Sequence, residues 1–248
     1  MKNVQSLINA RAAKFAAHTQ AFAYYDSEQS PRYMSKRIRD YFRQNPHYIE
    51  NWMAIVVNAV ISKLQLDSVT ATDENKAKAL TKMWRNLHMD SIADEIHEHL
   101  VITGEGFLIV ERDPETDAVR AFAQDPRTVV VFYDDADPTR ITEAAKFYVE
   151  DGRKWIIHYT PETFITYEGP RIDAALSGDT GAADSYRPRN DLDAPNPYDG
   201  AIPVFHFRKS RRVIRSEFYQ VVSLQDTINK MFVSLGMTAE TAAQKLRW

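Results

Sequence analysis

Residues 216–236 read SEFYQVVSLQDTINKMFVSLG, and this segment sets the arrangement that we expect for the rest of the chain. Mostly apolar side chains recur in it at three- and four-residue steps, which places them on one face of a helix. That face comprises Phe218, Val221, Gln225, Ile228, Phe232 and Leu235, and Val222, Leu224 and Met231 widen it. Ser216 is a suitable N-cap and Gly236 a suitable C-terminal stop. The segment therefore predicts a long helix from Ser216 to Gly236, followed by a separate alanine-rich helix in residues 237–248.

A polar row lies beside this apolar face and consists of Gln225, Asp226, Asn229 and Lys230. Polar groups that close to a core-facing stripe usually have hydrogen-bond partners. We therefore expect the helix to pack against a specific surface. The pattern by itself also fits an ordinary amphipathic helix that closes a core.

The composition describes a folded chain without covalent cross-links. It has 248 residues, of which 44% are hydrophobic and 26% charged, and it carries a net charge of −3 and no cysteine. This size allows a large core in one or two domains. The absence of cysteine excludes disulfides and thiolate chemistry. The net charge argues against binding of nucleic acid through bulk charge, so any such contact needs a local basic cluster.

The order of the periodic segments predicts an α+β fold, with helices first, then an antiparallel sheet, then the long helix. We divide the chain into 1–106, mainly helical; 107–207, mainly β, with a long loop at 169–200; and 208–248, a basic segment with the last helix. A helix is expected from Asn51 to Leu66. This helix is apolar on nearly every side, which predicts burial between several elements.

The β part shows closely spaced turn signals, so we expect one meandering antiparallel sheet. Asp151-Gly152 between two apolar runs is the strongest hairpin signal in the chain. Asp73 and Asp90 are expected to cap two helices, and Gly104-Glu105-Gly106 to end the second of them.

No group of residues forms a convincing catalytic motif, and we expect no cofactor and no metal ion. His97 and His99 are two residues apart, whereas a zinc-binding helix needs a four-residue spacing on one face. An alternative is a metal-dependent nucleic-acid hydrolase that uses Asp134, Asp135 and Glu150, which would require these acids to converge.

A positively charged cluster follows residues 202–207 and consists of Arg208, Lys209, Arg211, Arg212 and Arg215. Alone it fits a solvated strand end or a site of salt bridges between subunits. Its functional interpretation is a positive collar near a DNA path, where it would contact phosphates without reading sequence.

Several motifs, taken in order, resemble those of the portal proteins of tailed double-stranded-DNA bacteriophages of the siphovirus type. They are Tyr24-Tyr25, Asn51-Trp52 with Ile55-Val56 and Leu64, Gly104-Glu105-Gly106-Phe107 with Val110, Tyr133-Asp134, Ile202-Pro203-Val204, the basic cluster, and Ser216 through Leu224-Gln225-Asp226 to Asn229. The order and spacing hold over most of the chain, which resembles the N-terminal half of a portal protein.

The resemblance implies a non-enzymatic subunit of a ring, usually dodecameric, at one capsid vertex, with packaged DNA passing through its axis. The implied partners are other copies of the chain, the terminase large subunit, the major capsid and scaffolding proteins, a head-completion or adaptor protein, and double-stranded DNA bound non-specifically. No membrane is implied, and the location is the virion, with assembly in the host cytoplasm. Asn51, Trp52, Gln225, Asp226 and Asn229 are then expected to pack between subunits. A virion or adaptor protein that forms no ring remains a further alternative.

Overall fold

The computed structural model describes residues 2–29, 32, 35–36, 40, 50–64, 66, 69–113, 116–172, 182–210 and 212–245. Five long helices lie within these ranges: α1 (Val4–Tyr25), α2 (Trp52–Ile61), α3 (Glu74–Asn86), α4 (Met89–Thr103) and α5 (Val222–Lys245). The strands are β1 (Glu105–Arg112), β2 (Val119–Gln124), β3 (Val129–Tyr133), β4 (Ile141–Glu150), β5 (Arg153–Tyr159), β6 (Thr163–Arg171), β7 (Arg187–Pro188), β8 (Ala194–Pro195) and β9 (Val204–Arg208). The predicted α+β order is confirmed.

Helix α1 joins the two halves of the fold. The Asn3 side chain caps it by accepting a hydrogen bond from the Ser6 backbone N–H at 2.9 Å. Its first turns bury Leu7 and Ile8 against the face of β3, β4 and β5. Its last turns bury Tyr24 in a second cluster formed with α2, α4 and the start of the C-terminal segment. One helix therefore contacts both the sheet and the helical layer.

The strands form two sheets, so the expected single meander is wrong. One sheet has the order β2-β1-β9, and the other has the order β3-β4-β5-β6-β7, with β8 also paired to β6. The pairing of β9 with β1 places His206 opposite Phe107. The two sheets pack across a shared apolar cluster that contains Phe107, Ile109, Val129, Ala144, Tyr159 and Val204. Strand period alone indicates neither which strands pair nor how many sheets form.

The β4–β5 hairpin turns at Asp151 and Gly152, as predicted, with φ angles of 50° and 69°. The expected loop at 169–200 is only partly irregular, because β6 extends to Arg171 and β7 and β8 pair along its outer edge. Residues 173–181 of this loop lie outside the described residues.

Helices α3 and α4 follow each other; α3 buries none of its side chains, whereas α4 packs against α1, α2, β1 and β2. Asp73 caps α3 by accepting a hydrogen bond from the Lys76 N–H at 2.9 Å, as predicted. The expected cap of α4 is wrong, since His88 occupies that position and Asp90 instead accepts a hydrogen bond from the Trp84 Nε1–H at 2.6 Å. Gly104 ends α4 in the left-handed conformation, as predicted, and β1 follows at once.

The limits predicted for the last helix are wrong. A short 3₁₀ turn precedes α5, which begins at Val222 and runs through Gly236 to Lys245. The Ser216 hydroxyl accepts a hydrogen bond from the Phe218 N–H at 3.1 Å in a local turn before the helix. Residues 237–245 are mostly good helix formers, so one glycine does not end the helix. Residues 246–248 lie outside the described part.

Helix α2 is shorter and more exposed than predicted. It buries Met53 and Val57, but Trp52 is 51% and Ile55 58% exposed. The expectation that its whole circumference is buried is therefore wrong for the single chain. A helix that is apolar on all sides but covered on one side leaves a face for another partner.

Candidate functional site

The candidate site begins at the start of α2, where Asn51 fixes the chain after α1. Its side-chain Oδ1 accepts a hydrogen bond from the Ala54 N–H at 2.9 Å and so caps α2. Its Nδ2 donates to the Tyr25 carbonyl at 2.5 Å and to the Ser27 hydroxyl at 2.7 Å. One amide side chain thus joins the end of α1 to the start of α2.

Two buried amides of α5 continue this connection. The Gln225 Oε1 accepts a hydrogen bond from the Trp52 backbone N–H at 3.1 Å, and its Nε2 donates to the Glu50 carbonyl at 2.6 Å. The Asn229 Oδ1 accepts from the Glu50 N–H at 3.2 Å and from Gln225 Nε2 at 3.1 Å. The free N–H groups at a helix start need such partners when they are buried.

The third contact of α5 is a buried pair. The Tyr24 hydroxyl donates a hydrogen bond to Asp226 Oδ1 at 2.7 Å. Only 1% of Tyr24 and 4% of Asp226 are exposed. A buried carboxylate is costly without a hydrogen-bond donor, so this bond stabilises one orientation of α5 on α1.

We call the five residues Tyr24, Asn51, Gln225, Asp226 and Asn229 the polar latch. The latch confirms specific partners for Gln225, Asp226 and Asn229 of the polar row, and these partners belong to the same chain. Lys230, the fourth residue of the row, is exposed. The Trp52 side chain, unlike its backbone, is exposed. Contact of Asn51, Trp52, Gln225, Asp226 and Asn229 with a neighbouring subunit stays a prediction.

One row of apolar side chains on α5 points away from the latch. At about 100° per residue, Leu224, Ile228, Met231 and Leu235 fall within roughly 60° of the helix circumference. We call these four residues the apolar seam. Leu224, Met231 and Leu235 are 58%, 66% and 67% exposed. In the predicted core-facing stripe, Phe218 and Gln225 are buried as expected. The prediction is wrong for the exposed side chains of Leu224, Met231, Phe232 and Leu235, because the latch turns the polar row inward.

The basic cluster does not form one uniform surface. Arg208 lies over the Tyr133 ring at 4.3 Å and donates a hydrogen bond to the Pro138 carbonyl at 3.1 Å. Lys209 forms an ion pair with Glu217. These two cations are therefore partly engaged within the chain.

Arg212 and Arg215 are exposed, together with the apolar side chains of Val213 and Ile214 between them. The Arg215 guanidinium lies 5.2 Å from the centre of the Tyr219 ring. Arg211 lies outside the described residues. A cleft of about 760 Å³ separates this segment from α1. The exposed part of the cluster is thus available for an external partner, although its role in binding DNA or a subunit stays a prediction.

A close backbone contact holds the basic segment against the end of α4. A Cβ atom on Gly104 would lie 2.4 Å from the Arg215 carbonyl oxygen, and Gly104 has a φ of 89°. The Glu217 N–H donates to the Val101 carbonyl at 3.1 Å. Sequence reasoning identified the turn at Gly104 but missed this contact, because nothing local indicates which segment passes it.

Sequence reasoning also missed a buried ionic cluster beside this corner. The Glu105 carboxylate is 2.5 Å from Lys14 Nζ, 2.9 Å from His206 Nε2 and 3.5 Å from His18 Nε2. The His206 Nδ1 lies 2.7 Å from the Tyr133 hydroxyl. The four-residue spacing of Lys14 and His18 on α1 was the only signal in the sequence.

The pKa values in this cluster are shifted. Burial alone would raise the pKa of Glu105, but the close contact of His206 and the charge of Lys14 outweigh it and lower the pKa to about 2. Burial lowers the pKa of His18 to about 4, against the opposing effect of Glu105. Burial also lowers the pKa of Lys14. At neutral pH Glu105 is therefore ionised and His18 is neutral. The contacts of Glu105 with Lys14, His18 and His206 join α1, β1 and β9.

The acids proposed for a hydrolase do not converge. Tyr133, next to Asp134, pairs with the first residue of β4, and Glu150 is the last residue of that strand. At about 3.3 Å per residue, Asp134 and Glu150 are roughly 30 Å apart. No group of three or more metal-binding side chains occurs in the part of the chain that the structure describes. Among those same residues, no helix is long and apolar enough to span a membrane.

Comparison with known proteins gave one family. The family model described as phage portal protein, SPP1 Gp6-like, matches residues 5–246. No curated protein sequence matches the chain.

Proposed function

Because the chain belongs to the family of SPP1 Gp6-like phage portal proteins, we propose that it forms a closed ring, a dodecamer, at one capsid vertex. The family match supports a structural and non-enzymatic role in the virion. The ring would be the conduit for DNA during packaging and ejection.

The observation that carries the ring proposal is the position of α5. The polar latch fixes one side of this helix to α1 and α2, while its apolar seam stays exposed. A large exposed apolar row on a soluble subunit indicates a protein contact. In a closed ring each subunit presents two different surfaces to its neighbours, and the seam supplies one of them.

We assign the regions of the chain accordingly. Residues 1–106 and 107–207 would form the helical and β parts of the wing, the outward body of the subunit. Residues 208–248 would form the passage from the wing to the stem. The close contact of Arg215 with Gly104 supports this assignment, since it holds the passage against the end of α4 in the body.

The proposed contact with double-stranded DNA is weak and non-specific. The chain has a net charge of −3. The side of α5 that is neither latched nor apolar carries Ser223, Thr227, Lys230 and Ser234, so it offers one cation among short hydroxyl side chains. Each contact between a cation and a phosphate adds salt-dependent affinity for DNA. A surface with few cations therefore lets the DNA slide and does not hold it in place.

The remaining proposed partners follow from the family. They are the terminase large subunit during packaging, the major capsid and scaffolding proteins during assembly, and a head-completion or adaptor protein afterwards. Assembly would take place in the host cytoplasm.

Light scattering and negative-stain imaging of the purified chain test the ring directly. We expect closed particles with a central hole and a mass of about twelve subunits. A monomer at every accessible concentration would contradict the proposal and favour a virion protein that forms no ring.

A charge reversal tests the basic cluster. We expect Arg212→Glu, alone or with Arg211→Glu, to reduce ring assembly or DNA packaging. We expect Arg212→Glu to change the free energy of unfolding by less than about 0.5 kcal/mol, because the side chain is exposed. Arg187→Glu makes the same charge change at an exposed position on β7 and should alter neither property. Normal packaging by the Arg212 variant would remove the proposed role.

A further inference from the structure

The apolar seam of α5 needs a partner of a specific shape. Its residues Leu224, Ile228, Met231 and Leu235 follow steps of four, three and four. This is the 3.5-residue repeat with which one helix packs along another at a crossing angle of about 20°. A flat sheet or an irregular loop does not require that repeat. The partner is therefore expected to be an apolar helix.

The chain itself offers such a helix face on α2. Trp52, Ile55 and Val56 are 51%, 58% and 39% exposed, and Ala59 beside them is also exposed. Trp52, Val56 and Ala59 follow the same steps of four and three. We call these four residues the α2 face. Among the other described helices apart from α5, only α3 has a large exposed apolar side chain, the single residue Met83.

The seam and the α2 face are directed away from the contact that α2 and α5 make within one chain. That contact runs through the Trp52 backbone N–H and the Gln225 side chain. The buried side chains of α2 are Met53 and Val57, which lie in one cluster with Tyr24 and Phe218. Each face is therefore left for another molecule, since the latch already determines how the two helices meet.

We infer that the apolar seam of one subunit packs against the α2 face of the next subunit. The inference rests on the proposed ring and names the surfaces that close it. The two surfaces differ, as a head-to-tail ring requires. At about 1.5 Å per residue, the α2 face spans roughly 10 Å and the seam roughly 16 Å, so the shorter face fits along two turns of the longer one.

Cysteine cross-linking tests this contact, because the natural chain has no cysteine that would interfere. Three double variants combine Val56→Cys on α2 with Leu224→Cys, Met231→Cys or Leu235→Cys on α5. Under oxidation at least one of them should give a ladder of covalent oligomers up to the full ring. The corresponding single variants should give no species larger than a dimer. Met83→Cys combined with Met231→Cys is the matched control, since Met83 is exposed on α3, and it should give no ladder.

The outcomes separate the inference from the ring itself. If light scattering shows rings for the double variants but no pair gives a ladder, the pairing of these two faces is wrong and the ring stands. If the Met83 pair gives an equal ladder, the cross-links are collisional and the inference is also wrong. If the variants and the natural chain are monomers and give no ladder, both the proposed ring and the proposed pairing of the two faces are wrong.

Discussion

Replacing Tyr24 by phenylalanine removes one oxygen atom from the polar latch and tests whether it fixes the last helix. The lost hydroxyl donates to Asp226 Oδ1 at 2.7 Å, and both residues are buried. Without the donor, the Asp226 carboxylate, which is 4% exposed, loses its Tyr24 hydrogen bond.

The expected cost follows from that burial. A hydrogen bond to a charged group contributes about 1.5–3 kcal/mol, and an unsatisfied buried partner adds to the loss. We therefore expect Tyr24→Phe to lower the free energy of unfolding by about 2 kcal/mol. For a chain of this length, that corresponds to roughly 4–8 °C in Tm.

The neighbouring residue provides a matched control. The Tyr25 hydroxyl donates to Asn58 Oδ1 at 3.2 Å at an exposed position. Tyr25→Phe removes the same atom where water can replace the bond, so its cost should stay below about 0.5 kcal/mol. Urea unfolding followed by circular dichroism measures both variants, and unchanged slopes would show that the same transition is compared.

A double-mutant cycle with Asp226→Leu completes the test. If the pair interacts as the structure indicates, the double variant should be about 1–2 kcal/mol more stable than the sum of the single effects predicts. Additivity within about 0.4 kcal/mol, or equal costs for the Tyr24 and Tyr25 variants, would refute the idea that this bond holds α5.

Three further outcomes are expected. Gly104→Ala should lower the free energy of unfolding by about 2 kcal/mol or more, because the added Cβ would meet the Arg215 backbone and the φ of this residue is 89°. An unchanged midpoint of urea unfolding would contradict the close contact. Gly236→Ala should stabilise the chain by about 0.5–1 kcal/mol, because the helix continues through this position; a loss of stability would indicate a left-handed stop there. His18 has a folded pKa of about 4 against 6.5 when free, so the unfolded chain binds its proton first as the pH falls. Stability from this site should therefore be complete above pH 6.5 and decline towards pH 4, and His18→Leu should flatten that part of a Tm-against-pH profile; an equal slope in the variant would show that other groups cause it.

The stability of the latch also bears on the proposed ring. A helix that rocked on the body would present its apolar seam at variable angles to a neighbour. The latch removes that freedom before assembly, because three residues of α5 bind the chain around Glu50 and Trp52 and the α1 residue Tyr24. A preorganised surface loses less conformational entropy on association.

The sequence alone determined the features that depend on neighbouring residues. The period of the apolar residues predicted the α+β order. Asp73 indicated the start of α3, and Gly104 indicated the turn between α4 and β1. The Asp151-Gly152 turn located a hairpin. Caps, turns and periods act within one or two turns of chain, so their signals remain in the local sequence. The family resemblance, now matched over residues 5–246, is carried by the order of such local motifs.

The tertiary structure decided the features that depend on distant partners. The row with Gln225 and Asp226 is buried, and the apolar seam is exposed. The hydrogen bond that fixes this orientation comes from Tyr24, which lies 202 residues before Asp226 in the sequence. The same holds for β9, whose partner β1 no local pattern indicates. An apolar stripe in the sequence shows only that one face of a helix is expected to be buried. The hydrogen bonds of the folded chain determine which face is buried within the same chain. The physical reason is that buried polar groups must find specific partners. The hydrophobic effect is non-directional, so an apolar stripe alone does not show whether the same chain or another molecule covers it.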